Sequence, residues 1–270
     1  TRLEVAQVFK SPAFAVLLII GLFNAGASLI LGSELYGTAA RPLTFSIIAV
    51  LQGSFGIIPI IIAIFYSGEL VWRDRERKMH EIVDATSLPN WAYLVPKALA
   101  VTLVLMATLT AAMIFAMLFQ LVNGGGDLSP GKYLMWYLLP GTVDMALIAI
   151  LAVFVQALSP NKYIGWGIMV VYLVATLVLS NLGWEHPLYQ YAAGPSAQLS
   201  DMNGAQVGGP GAWWFRLYWS AFAVMLAVLA HLLWRRGTET RLRPRLARVP
   251  ARMRGTPGLV FADALVAFAA

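Results

Sequence analysis

The sequence predicts an all-α membrane protein with six transmembrane helices. Two observations carry that fold class. Hydrophobic residues make up 59% of the 270-residue chain and charged residues only 12%, against about 25% charged in a soluble domain. The apolar residues also fall in runs long enough to cross a bilayer, which takes about 20 residues as a helix. These runs are 12–32, 43–66, 98–122, 134–158, 164–182 and 213–234. Helices rather than open strands follow, because an open strand leaves its backbone unsatisfied in lipid. The first run is too long for a cleaved signal peptide, and no small-residue cleavage site follows it. The chain has no cysteine, which excludes disulfides, thiolate zinc sites and iron–sulfur clusters.

The positive charges orient the spans. With the N-terminus on the cytoplasmic side, the inner segments hold Arg2, Lys10, Arg73, Arg75, Arg77, Lys78, Lys97, Lys162, Arg235, Arg236, Arg241, Arg243, Arg245, Arg248, Arg252 and Arg254. The outer segments hold only Arg41, Lys132 and Arg216. The asymmetry predicts both the N-terminus and the C-terminal linker inside. The basic tail then reads as an anchor beside anionic lipid. One charge run without interleaved aromatics does not point to nucleic acid.

The elements follow in order. TRLEVAQVFKS (1–11) sets Leu3, Ala6, Val8 and Phe9 against Arg2, Glu4 and Lys10, which fits either an interfacial helix on the inner leaflet or a frayed terminus. A short external loop (33–42) joins the first two spans. Residues 67–97 are the largest internal connection before the tail. In the third span Ala107 with Ala111, and Ala112 with Ala116, have the spacing that lets helices approach closely, although alanine is also common in any apolar helix. A glycine-rich external turn, NGGGDLSPGKY (123–133), leads to the fourth span, and SPNKY (159–163) is a tight internal link. A long external segment (183–212) is too rich in glycine and proline for a full helix. Its Trp184, Tyr189 and Tyr191 suggest that it rests on the membrane interface. Residues 1–236 thus read as the membrane domain, 237–256 as a basic cytoplasmic linker, and 257–270 as the start of a further apolar segment. The start at Thr1 and the short final run point to an excerpt of a longer chain.

Three motifs invite chemistry. HEIVD (80–84) is one letter from the H-E-x-x-H helix of zinc peptidases, which needs two imidazoles at i and i+4. Asp84 stands where the second imidazole belongs, and His186 and His231 fall outside or within a span. No metal site is expected. The same stretch reads as a charged surface helix. Trp72, Met79, Ile82 and Val83 are spaced for one stripe, and Asp74–Lys78, Glu76–His80 and Arg77–Glu81 are spaced as i,i+4 pairs. Pro89 would interrupt it and Asn90 would cap the next helix. It is either a solvated loop helix or a docking surface. GDLSPGKY (126–133) has the letters of a phosphate loop but ends in Tyr133 and follows no strand, so the chain has no nucleotide site of its own. Asp144 lies in the fourth span, where a carboxylate costs roughly 2.5–3.5 kcal/mol. It reads as a pathway residue or as a helix-interface group bonded to Gln52, Gln156 or Asn24. No second buried acid or base is apparent beside it.

Across 66–97 the order is YSGE with Glu69, a charged stretch with Arg75 and Arg77, HEIVDATSLPNW, and then Lys97. This resembles the loop between the second and third spans of type-2 ABC exporter permeases, with Met79–Glu81–Ile82 and Ser87–Leu88–Pro89 in the matching places. The loop departs from the family by ending in S-L-P-N-W rather than P-V-S. The resemblance implies a cytoplasmic coupling helix that docks on a separate ATPase. Its contact set would be Glu69, Trp72, Arg75, Arg77, Met79, Glu81, Ile82, Val83, Leu88 and Pro89. Asp144, Gln52 and Gln156 would line a path or a helix interface. ATP and magnesium would be bound by the ATPase, not by this chain. A second permease half would come from the same polypeptide or from a second copy, in a bacterial inner membrane. SPNKYIGW (159–166), LSDMNG (199–204) and FRLYWSAFA (215–223) resemble a bacterial subgroup in which such a permease is fused to a gluzincin-type zinc aminopeptidase. That subgroup also implies the alternative of a membrane anchor without transport. The peptidase motif itself is absent, so no catalytic residue is expected here.

Overall fold

Proline suits the first turn of a helix, where its missing N–H would lack an intrahelical partner anyway. Pro12 accordingly opens the first long helix, α2 (Pro12–Leu31), directly after the short α1 (Arg2–Phe9). The computed structural model describes residues 2–31, 34–35, 38–39, 42–86, 88–124, 128–184, 186–195, 199, 209–236 and 242–269. Arg41, Ser87, Arg241, residues 125–127 of the glycine-rich turn and residues 200–208 of the external segment lie outside the described residues, as does the Val83 side chain.

After α2 a pair of two-residue strands, β1 (Glu34–Leu35) and β2 (Thr38–Ala39), runs antiparallel with Glu34 opposite Ala39. The second apolar run is two helices, α3 (Thr44–Phe55) and α4 (Ile57–Glu76), bent by 42° at Gly56. Gly56 and Pro59 explain the bend, since proline removes a backbone donor and clashes with the preceding turn. A five-residue helix α5 (His80–Asp84) precedes α6 (Trp91–Val122). The fourth run is a continuous path of α7 (Pro130–Tyr133), a π-helical turn (Leu134–Leu138) and α8 (Leu139–Leu158). Then come α9 (Lys162–Asn181), a 3-10 turn (Pro187–Tyr189) and α10 (Gly209–Leu232). The tail holds α11 (Leu242–Ala247), α12 (Val249–Arg252) and the apolar α13 (Thr256–Ala269).

Among the described residues the chain is thus all-α apart from that small hairpin, and five of the helical segments described are long and apolar enough to cross a membrane. The bent α3–α4 pair meets the same measure only when its halves are taken together. Helix α8 sits in the middle, touching α4, α6, α9 and α10. One core joins Phe14, Ile62, Tyr66, Val101 and Ile148. A second joins Ala25, Leu51, Phe55, Ala112 and Ala116, so the Ala112–Ala116 pair is a packing contact. Helix α13 lies on α10, with Phe268 stacked on Tyr218 at 4.3 Å.

In the first helix Val8 is buried in the core and Glu4 faces the bundle, where Arg73 and Lys97 meet it, while Leu3 and Phe9 face outward. Tyr191 likewise leaves the interface position predicted for it. Its hydroxyl donates to the Leu147 carbonyl at 3.0 Å and its ring packs on Trp219. Trp184 and Tyr189 remain exposed.

Candidate functional site at the charged end of the bundle

Helix α4 runs ten residues beyond the predicted end of its span at Tyr66. Its last turns therefore carry Glu69, Trp72, Arg73, Asp74, Arg75 and Glu76 on a rigid rod. It stops where Lys78 takes φ +55°. The Met79 N–H then donates to the Asp74 carbonyl at 2.9 Å and the Lys78 N–H to that of Arg75 at 3.1 Å. This is a Schellman stop, usually made by glycine. The break corrects the single helix expected across 72–88. Trp72 does not share a stripe with Met79 and Ile82, because Lys78 turns the chain between them. The local charge pairs are also replaced. Asp74 bonds Lys97, Glu76 bonds Lys162, and Asp84 sits 3.9 Å from Arg75. A local i,i+4 pair contributes only about 0.2–0.5 kcal/mol, too little to hold a helix against these tertiary partners.

The inner side of this end is a set of charged braces. The Lys97 side chain, 3% exposed, donates to the Leu70 carbonyl at 2.6 Å, to Asp74 at 3.1 Å and to Glu4 at 3.4 Å. Arg73 bonds Glu4 at 3.0 Å and also Gln7. Together they tie α1, α4 and α6. Glu69 and Glu76 are seven residues apart and share one face of α4. Lys162 at the start of α9 bridges both, at 2.9 and 2.6 Å. Behind it the fully buried Gln156 accepts from Trp72 Nε1 at 3.0 Å. Gln156 lies so close to Gly165 that a Cβ there would overlap its amide. Buried polar groups need such partners.

The C-terminus of α10 is held to the same loop. The Asn90 amide donates to the His231 carbonyl at 2.9 Å rather than capping α6. Arg236 donates to the Leu88 carbonyl, and Arg75 to that of Arg235 at 3.0 Å. The Arg235 guanidinium lies 5.7 Å from the Trp72 ring, and burial pulls its pKa below the ordinary arginine value. Arg245 and Arg252 bond the Leu233 and Leu232 carbonyls at 2.8 and 3.0 Å. These two cations of the basic tail cap a helix end rather than reach for lipid.

The outer side has the opposite character. Ile82 is 74% exposed, Met79 50% and Leu88 49%. Arg77, Glu81 and Pro89 are exposed beside them. The ten predicted contact residues therefore divide. Glu69, Trp72 and Arg75 are internal braces, Met79, Glu81, Ile82, Leu88 and Pro89 form an open face, the exposed Arg77 borders a cavity beside α1, and the Val83 side chain lies outside the described residues. His80 lines a cavity of about 40 Å³ with Asp74, Arg75, Asp84 and Arg235, room for a water or two. Among the described residues no three of His, Asp and Glu are grouped to hold a metal.

Asp144 is not alone. Arg216 on α10 grips it with two bonds, Nε to Oδ1 and Nη2 to Oδ2, each 2.9 Å. Sequence reading assigned Arg216 to the outer segments, yet α10 begins at Gly209 and carries Arg216 two turns inward. A paired carboxylate and guanidinium remove most of the cost of a charge in a span. The proposed neighbours are engaged elsewhere. Gln52 donates to the Trp136 carbonyl at 3.1 Å, Asn24 to that of Ser54 at 2.7 Å, and Gln156 serves Trp72. Tyr133, in the phosphate-loop lookalike, is buried and donates to Gln120 at 2.8 Å.

Sequence reading missed the roles of Glu4, Lys162 and Arg216. The i,i+7 spacing of Glu69 and Glu76 was the available signal for Lys162, since two acids on one helix face need a shared cation. Compared with known proteins, the chain matches no family model, no curated protein and no solved structure.

Proposed function

We propose that this chain is the transmembrane half of an ATP-driven exporter, coupled to a separate ATPase through residues 77–89. The observation that carries the reading is the open face of Met79, Glu81, Ile82 and Leu88 on a loop clamped to the ends of α4, α6, α9 and α10. Exposed apolar side chains grouped on a rigid mount suit a protein partner. The mount has somewhere to send a push, because its braces run into α1, α4, α6 and α9. In this reading the bent α3–α4 pair is the second of six spans, and the charged end faces the cytoplasm of a bacterial inner membrane, as the positive charges favour. The ATPase holds ATP and magnesium. A second half, from the same polypeptide or a second copy, completes the path. The resemblance of residues 66–97 to type-2 exporter permeases supports the same assignment.

The test is ATPase stimulation in proteoliposomes that contain the permease and its cognate ATPase. Ile82→Asp and Glu81→Lys are expected to abolish stimulation, while lipid insertion and expression stay normal. Stimulation equal to that of the unaltered protein would remove the docking role. An ATPase indifferent to the presence of the permease would favour the membrane-anchor reading instead.

A further inference from the structure

Between α1 and the last turns of α4 lies an open cavity of about 350 Å³, within the range of about 300–1,000 Å³ for small-molecule sites. Its walls change character along α4. Val8, Phe65 and Leu70 line the end nearer the apolar spans, and Arg73, Glu76 and Arg77 line the charged end. Phe65 and Arg77 are twelve residues apart, about 18 Å along the helix. The gradient matches a phospholipid whose headgroup sits among the charges and whose chains begin at Phe65. One cation in the cavity lacks a partner. The Arg77 guanidinium is exposed and forms no ion pair among the described residues. A phosphate that accepts from it is favoured.

We infer that this cavity binds the headgroup of a phosphoethanolamine lipid of the surrounding leaflet. The lining carries two guanidiniums, Arg73 and Arg77, and two carboxylates, Glu69 and Glu76. A balanced lining suits a zwitterion better than a net anion. Arg77 takes the phosphate diester, for which the guanidinium fork is shaped, while Arg73 stays bonded to Glu4 and Gln7 and adds its charge nearby. The headgroup ammonium donates to Glu76 and Glu69. Each carboxylate offers about four acceptor sites, so Lys162 does not exhaust them. A choline headgroup has no N–H to give the carboxylates, and a glycerol headgroup has no cation. The site stands whether or not an ATPase docks on the outer face of the loop.

The protein would be delipidated in detergent and its melting temperature followed on addition of phosphatidylethanolamine, phosphatidylcholine, phosphatidylglycerol or water-soluble glycerophosphoethanolamine. Phosphatidylethanolamine is expected to stabilise at the lowest concentration. Arg77→Gln should weaken that response roughly tenfold, the effect of one lost charge-assisted bond, without lowering the melting temperature of the lipid-free protein. Glu76→Gln should erase the preference over phosphatidylcholine. Equal responses to the three lipids, or an Arg77→Gln protein that responds as the parent does, would overturn the site. Saturation by glycerophosphoethanolamine as readily as by the diacyl lipid would reassign it to a soluble phosphodiester and overturn the lipid.

Discussion

The two sides of the segment 69–90 invert the usual order of a surface element. The charges of its α4 part are braced inward, where Lys97 and Lys162 gather four carboxylates from α1 and α4, while Arg77, Lys78 and Glu81 stay exposed. Its apolar groups, Met79, Ile82 and Leu88, point outward. The inner side specifies geometry, because Lys97 and Lys162 each hold more than one partner and moving one helix strains several bonds at once. The outer side contributes little to that geometry and gains its apolar burial only when something covers it. Removing groups from the two sides should therefore give opposite patterns: stability lost from within, coupling lost from without.

The largest stability effect is expected for Lys97→Met. The substitution keeps the length of the side chain but removes the buried cation that bridges Glu4 and Asp74, leaving only the more distant Arg73 beside Asp74 at 3.8 Å. Breaking a buried ion pair from one side costs about 3–5 kcal/mol, readable as a lower melting temperature in detergent. Adding Asp74→Asn should recover part of the loss, since the carboxylate left with only Arg73 at 3.8 Å is then removed as well. No recovery would mean that Lys97 acts through packing alone.

The Asp144–Arg216 pair extends the comparison to the far side of the bundle, where a single pair stands instead of a network. Asp144→Asn is expected to cost about 1–3 kcal/mol, less than Lys97→Met because both side chains of this pair are partly exposed. The exchange Asp144→Arg with Arg216→Asp should restore part of it. A smaller effect belongs to Gly165→Ala. Overpacking against Gln156 costs about 1–3 kcal/mol, and the gain in helix propensity offsets about 1 kcal/mol. A net loss of about 1 kcal/mol, with weakened burial of the Trp72 indole visible in its fluorescence, would show that the Gln156 contact holds the brace.

Local patterns made most of the fold legible. Each apolar run marked a helix because lipid leaves the backbone no alternative. The ends of α4 and α6 were hidden, since Glu69 to Glu76 and Trp91 to Lys97 look like loop to a hydropathy scan but are held helical by partners far along the chain. Lys78 gave no sign of a stop, because a Schellman turn is usually betrayed by glycine. Asp144 was recognised as costly in a span. Its partner Arg216 was not, because pairing across 72 residues is a tertiary fact. The candidate face was the reverse case. Met79 and Ile82 stand out by their spacing and by resemblance, Leu88 by resemblance, and only the fold separates them from Glu69, Trp72 and Arg75.

The smallest stability effect, and the one that sharpens the comparison most, is expected at Ile82. Its side chain touches little of the bundle, so Ile82→Asp should change the melting temperature by no more than the equivalent of about 0.5 kcal/mol, as surface substitutions do. The same substitution is expected to abolish ATPase stimulation, because a carboxylate forced into an apolar contact must be desolvated without a partner. Lys97→Met makes the converse case: its main loss is in stability, and any loss of stimulation should be partly recovered at lower temperature. An Ile82→Asp protein that unfolds early would show that the outer face is packed rather than waiting, and the division between brace and contact surface would fall.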